Sequence, residues 1–238
     1  MKYYWINIDS SVKRKEFMEK QFNNLNIENY RISALTPKDI DFSKIIKNKE
    51  ANSSPAEYAT IISHLKAIKA GYDCGDEYFI ISEDDMYVEN IDDNKLLNII
   101  EQNSNSETIE MLQIYNNSHP FIMKMYNEEF LKKKNLIIKR TEGYPSAGYY
   151  LLTREGAKKI LDKFVLENDE YDLSISSWCC ADNILFICSN TYIFTYPFVI
   201  GCSDFESHLH NDHIKYHKMA NDVISNIHSI NNCKNLII

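Results

Sequence analysis

The sequence has no apolar run near the ~20 residues needed to cross a bilayer as a helix. Its 238 residues include six cysteines, Cys74, Cys179, Cys180, Cys188, Cys202 and Cys233, with no Cys-x-x-Cys pair among them. A zinc ribbon or a thioredoxin-like site is therefore not expected. The opening Met1 to Ile8 is too short for the apolar core of a signal peptide and is followed at once by Asp9. The expectation is a cytoplasmic protein with reduced thiols. Basic charge is also short: the formal net charge is −8, which argues against a nucleic-acid partner. It does not exclude a phosphate-bearing substrate, because a bound divalent cation inverts the local sign. No internal repeat or low-complexity linker is visible, and residues 1–238 read as a single domain. Hydrophobic residues at 44% and charged residues at 25% suit a globular chain, which at this length buries roughly 70% or more of its unfolded surface.

What is present alternates strand-like and helix-like segments, the pattern of an α/β fold. Tyr3 to Ile8, Tyr30 to Leu35, Glu77 to Ser82, Ile109 to Tyr115, Leu136 to Lys139, Tyr149 to Thr153 and Tyr192 to Ile200 read as strands, the last interrupted by Pro197. Val12 to Leu25 and Arg154 to Phe164 read as helices. So does the segment opened by Ser54 as N-cap, Pro55 at the first helical position and Glu57 in the first turn. Ser174 to Ser189 is expected to be helical, Asp39 to Ser54 a loop, and about 212–230 a closing helix.

Ser82-Glu83-Asp84-Asp85 follows the apolar Tyr78-Phe79-Ile80-Ile81 directly. Carboxylates at the end of a buried strand face the crevice where open α/β sheets bind ligands. Consecutive like charges are best tolerated when a cation or hydrogen-bond donors neutralise them, and carboxylate oxygen suits Mg²⁺ and Mn²⁺. A solvated acidic turn is the alternative. Extended alternation would send Glu83 and Asp85 to one side and Asp84 to the other.

Four further blocks accompany the triplet: Tyr4-Trp5-Ile6-Asn7-Ile8-Asp9 followed by Arg14; Arg31-Ile32-Ser33-Ala34; Glu57 through Ser63-His64-Leu65; and Gly143-Tyr144 with Gly148-Tyr149 running to Gly156-Ala157. In this order they resemble glycosyltransferase family 25, the lipopolysaccharide and collagen galactosyltransferases, from about residue 3 to about 210. Residues 90 to 140 match little. The resemblance implies a GT-A fold, a Rossmann-like mixed sheet flanked by helices, and an inverting, Mn²⁺-dependent (or Mg²⁺-dependent) transfer. The sugar would pass from a UDP-sugar to a glycan or protein acceptor.

It further implies that Asp85 ligates the metal and that Glu83 touches the ribose or the metal. A histidine near the chain's end would complete the shell, His210 or alternatively His208. An independent zinc site on His208, His210, His213 and His217 lacks Cys or carboxylate partners at zinc spacing. The donor would contact Asn7, Asp9, Arg14, Ala34, Glu57, Ser63, Glu83 and Asp84, with Asn7 and Asp9 near uracil or ribose and Arg14 on the phosphates. An inverting transfer needs a base. Asp182 matches the family's Asp after the Gly-Ala helix and lies in an otherwise apolar stretch; the competing role is a helix cap. Asp84 is the reserve base. His64 reads as a core histidine or one behind the site. A phosphoryl-transfer enzyme or an inactive sugar-nucleotide-binding module remain as other readings of the same acids.

Overall fold

The computed structural model describes residues 1–38, 41–49, 53–88, 92–103, 107–141, 143–174, 180–205 and 213–230. The first half holds β1 (Lys2–Asn7), α1 (Val12–Leu25), β2 (Asn29–Ser33), α2 (Phe42–Ile45), β3 (Ile46–Lys49), α3 (Pro55–Asp73), β4 (Tyr78–Glu83) and α4 (Asp93–Asn103). The second half holds β5 (Met111–Gln113), α5 (His119–Lys124), β6 (Ile137–Lys139), β7 (Tyr149–Thr153), α6 (Arg154–Phe164), β8 (Tyr171–Leu173), α7 (Ala181–Ile184), β9 (Thr191–Phe194) and α8 (His213–Ile230). A π-helical stretch, Met125–Lys132, continues α5.

Seven strands form one mixed sheet in the order β2-β1-β4-β7-β5-β9-β6. β1 is parallel to β2 and β4, and β9 is parallel to β5, whereas β7 is antiparallel to both β4 and β5. The carboxyl ends of β1, β2, β4, β5 and β9 therefore share one edge of the sheet. β1 has β2 on one side and β4 on the other, so the strand order reverses at β1. Open α/β sheets bind ligands outside such a reversal.

Side-chain alternation builds a core on each face. Along β1, Tyr4 and Ile6 join one cluster while Tyr3 and Trp5 join the other; along β4, Phe79 and Ile81 oppose Ile80. The first face is covered by α3 and α6 through Ile61, Leu65, Ile68, Ile160 and Phe164. The second is covered by α1, α4 and α8 through Met18, Phe22, Leu96, Ile100, Ala220, Ile224 and Ile227. α3 starts on a complete capping box, with Glu57 N–H donating to Ser54 Oγ and Ser54 N–H donating to Glu57 Oε2 at 2.6 Å. Such a cap stabilises a helix by about 1 kcal/mol. At the start of α6 a Cβ on Gly156 would lie 2.5 Å from the Glu110 carbonyl, so only glycine lets this helix sit against the chain entering β5.

The mixed α/β sheet flanked by helices is the architecture expected. Three local expectations are corrected. Within the presumed loop before α3, Phe42–Ile45 is helical and Ile46–Lys49 pairs in parallel with β8; the stabilising partner is remote in sequence, so no local pattern announces it. Of Ser174 to Ser189, 175–179 lie outside the described residues and only Ala181–Ile184 is helical. The strand expected to reach Ile200 stops at Phe194.

Candidate active site

The acidic triplet sits where β4 leaves the sheet. Glu83 is the last strand residue and its N–H bonds the Gly148 carbonyl at 2.8 Å. Beyond it the chain turns, and the alternation expected of an extended strand ends. Asp84 and Asp85 converge on one group: Arg14 Nη1 lies 2.6 Å from Asp84 Oδ1 and 3.0 Å from Asp85 Oδ2. The turn is fixed by the segment after β9, where Cys202 N–H donates to the Asp85 carbonyl at 2.6 Å and Tyr87 N–H to the Ile200 carbonyl at 2.9 Å.

Asp84 is buried and uses both oxygens, accepting from Arg14 and, at 2.6 Å, from Asn7 Nδ2. Asn7 is in turn held by Arg31, whose Nε donates to Asn7 Oδ1 at 2.8 Å. Arg31 also pairs with Asp9, and Ser33 Oγ donates to Asp9 Oδ2 at 2.9 Å. The ends of β1, β2 and β4 are thereby tied into one chain of bonds, from Ser33 and Asp9 through Arg31, Asn7 and Asp84 to Arg14 and Asp85.

Asp85 Oδ1 is buried without a hydrogen-bond partner among the described residues. Burial first, then the Glu83 charge, raise its pKa to about 7 against the opposing pull of Arg14. Glu83 responds oppositely. Burial would raise its pKa, but the hydrogen bond and charge of His64, with further help from His217 and Arg14, bring it below the usual carboxylate range. His64 is fully buried, its Nε2 3.4 Å from Glu83 Oε1 and its Nδ1 3.1 Å from the Tyr150 hydroxyl. It stands behind Glu83, as anticipated. Ser63 is also buried. Its hydroxyl donates to the Ala59 carbonyl at 2.7 Å and accepts from Leu35 N–H at 2.9 Å, fixing the loop after β2. Ala34 anchors that same loop through its N–H to the Asn7 carbonyl at 2.9 Å.

Beside Glu83 opens a cavity of about 430 Å³, lined among others by Glu57, Glu83, Asp182, Tyr216 and His217. Asp182 lies at the start of α7, and Ser146 N–H donates to its Oδ2 at 2.8 Å. Burial raises the Asp182 pKa, with the Ser146 bond opposing and the Glu83 charge adding. Ser146 itself holds a left-handed backbone (φ 82°), a costly conformation for a residue with a side chain. Arg140 maintains it: stacked 4.4 Å over Phe186, it donates through Nη2 to the carbonyls of Tyr144 and Asp182 and through Nε to Gln113. Gln113 bonds the Pro145 and Ser146 carbonyls at 2.9 and 2.8 Å. The loop and α7 are thus clamped so that Ser146 meets Asp182.

The sequence reading missed Arg140 and Gln113, and gave His217 no role at the site. His217 Nδ1 lies 3.2 Å from the Tyr115 hydroxyl, and a Cβ on Gly201 would come within 2.8 Å of that hydroxyl. The signal was available: His217, Ala220, Ile224 and Ile227 follow helical spacing, and the last three are buried, which puts the histidine on the inward stripe. His208 and His210 lie outside the described residues. Tyr144 and Tyr149 are buried packing residues. Among the described residues no group of three His, Cys, Asp or Glu side chains is placed to hold a metal ion, and no helix is long and apolar enough to cross a membrane.

No curated protein matches the chain. Among solved structures it is similar to a glycosyltransferase involved in the glycosylation of the major capsid of PBCV-1, at 12% identity and a TM-score of 0.33, over 66% of this chain. The chain spans 61% of that protein's length, an overlap too loose to carry fold or function across. The model of glycosyltransferase family 25 (LPS biosynthesis protein) matches residues 1–174, taking in the strand-end acids and the Gly148-Tyr149 strand and stopping short of Asp182. With that match spanning most of its length, the chain belongs to glycosyltransferase family 25.

Proposed function

We propose that this chain is a GT-A glycosyltransferase that moves a hexose, galactose or glucose, from a UDP-sugar to a hydroxyl of a glycan or protein acceptor, with inversion and with Mn²⁺. The observation that carries this reading is the pairing of two unlike carboxylate environments on one cavity. Glu83 is held ionised by His64, and Asp182 has a raised proton affinity. Groups whose surroundings push their pKa values apart mark acid–base assignments.

The residues present fit a divalent cation in part. Asp85 Oδ1 is a buried carboxylate oxygen without a hydrogen-bond partner among the described residues, the hard donor that Mn²⁺ and Mg²⁺ take. Asp85 would hold the ion, Glu83 would touch it or the ribose, and His210 or His208 remains the proposed further ligand. When bound, the cation supplies charge neutralisation to the departing diphosphate.

The chain's own side chains would do the rest. Asn7, the last residue of β1, and Asp9 in the turn after it would receive the nucleoside, and the Arg14 guanidinium, already beside Asp85, would offer its charge to the phosphates. Asp182 takes the acceptor's hydroxyl proton as that oxygen bonds to the anomeric carbon. The bond from this carbon to the diphosphate oxygen breaks, and its electron pair leaves with UDP. A burial-raised pKa makes Asp182 a better proton acceptor than an exposed carboxylate. A phosphoryl-transfer enzyme would want a basic groove, and the described lining of the cavity contains no Lys or Arg.

The test is UDP release from UDP-glucose and UDP-galactose, with and without Mn²⁺, in wild type and Asp182→Asn. Donor binding that survives the substitution while transfer is lost supports the reading. Undiminished transfer would move the base elsewhere, and no donor turnover at all would sink the proposal.

A further inference from the structure

The cavity beside Glu83 has a lopsided charge. Its described lining contains the carboxylates of Glu57, Glu83 and Asp182 and no Lys or Arg. The remaining wall holds two histidines, His119 and His217, the polar Asn117, Ser118 and Thr60, and the faces of Tyr216, Pro120 and Pro145. Tyr216 is a half-exposed ring on α8, available as a flat platform. Arg14, Asp84 and Asp85 do not line the cavity. Asp182, the proposed base, does line it, which puts the acceptor hydroxyl at this cavity.

We propose that this cavity is the acceptor subsite and that its acidic lining selects an uncharged saccharide over one bearing phosphate or carboxylate. The inference rests on the transfer reading above and adds to it the charge class of the acceptor. Hydroxyl, amide and carboxylate groups hydrogen-bond sugar hydroxyls, while the aromatic and proline faces take the apolar side of a pyranose ring. An anion entering here meets three carboxylates in a partly enclosed space, where screening by water is weak. Glu57 is the discriminating residue. It is the acid farthest in sequence from the proposed chemistry, and its other task, accepting the Ser54 N–H, also suits the oxygen of a glutamine.

The experiment measures binding by saturation-transfer NMR at pH 8 to the intact chain. Methyl glucoside and methyl galactoside are compared with glucuronate, galacturonate and the corresponding hexose 6-phosphates. The neutral glycosides should bind roughly tenfold or more tightly than their anionic counterparts. Glu57→Gln should narrow that ratio severalfold by improving the anions, and raising ionic strength should narrow it further. Anions binding as well as the neutral sugars, or a ratio indifferent to Glu57→Gln, overturns the selection. Binding of neither class overturns the cavity as an acceptor site. UDP release run in parallel separates the two ideas: no turnover of either UDP-hexose with any acceptor defeats the transfer reading, whereas turnover with an anionic preference defeats only this one.

Discussion

Replacing Arg14 by methionine tests whether the strand-end acids depend on a built-in counter-cation. Arg14, Asp84 and Asp85 keep only 11%, 9% and 13% of their side-chain surface exposed, so the pair of contacts at 2.6 and 3.0 Å is formed largely out of water. Methionine keeps most of the apolar stem and removes the charge. Two carboxylates would then face each other with Glu83 adjacent, Asp84 keeping its Asn7 bond and Asp85 losing its partner. Removing one member of a buried pair costs about 3–5 kcal/mol, and the residual exposure here favours the lower end. In a chain of this size each kcal/mol shifts Tm by about 2–4 °C, so the metal-free variant should melt roughly 6–12 °C below wild type. The assay is thermal melting followed by circular dichroism in chelator at pH 8. Asp85→Asn in the Arg14→Met background should recover a large part of the loss, because it removes one of the stranded charges. A variant melting within a degree or two of wild type, or no recovery in the double variant, would refute the argument that Arg14 balances these acids.

Asp85→Ala removes the buried oxygen that has no partner among the described residues and should abolish any Mn²⁺-dependent gain in UDP-hexose binding measured by calorimetry; an intact gain would place the ion elsewhere. Because burial raises the Asp182 pKa and the base acts ionised, kcat/KM should fall as pH drops through a value above the ordinary carboxylate range. A profile flat down to the usual Asp value contradicts that assignment. Arg140→Met leaves Asp182 in place but unclamps its backbone and the Tyr144 carbonyl. It should lower kcat by roughly 10²-fold with donor affinity preserved, the expected effect of small misplacement. An equal loss in donor binding would mean Arg140 holds the whole site and not the base alone.

Much of the frame was written locally. Tyr78 to Ile81 could only be a buried strand, and Ser54-Pro55-Glu57 spelled a helix start that the capping box between Ser54 and Glu57 completes. Alternation and capping are near-neighbour physics, legible without knowing what lies across the fold. β3 was missed because its partner β8 is contributed by distant chain. The same limit applied at the site. The acids and Asp182 stood out as charges next to apolar runs, but their roles depended on partners: Arg14 drawing Asp84 and Asp85 together, His64 holding Glu83 ionised, and Arg140 with Gln113 forcing Ser146 onto Asp182. By itself the sequence determined the strands of the seven-stranded sheet, the start of α3 and which carboxylates follow β4. The tertiary structure alone decided which of them is neutralised, which is left with an open oxygen and which has a raised proton affinity, because burial and charge pairing are set by groups that meet only when the chain has folded.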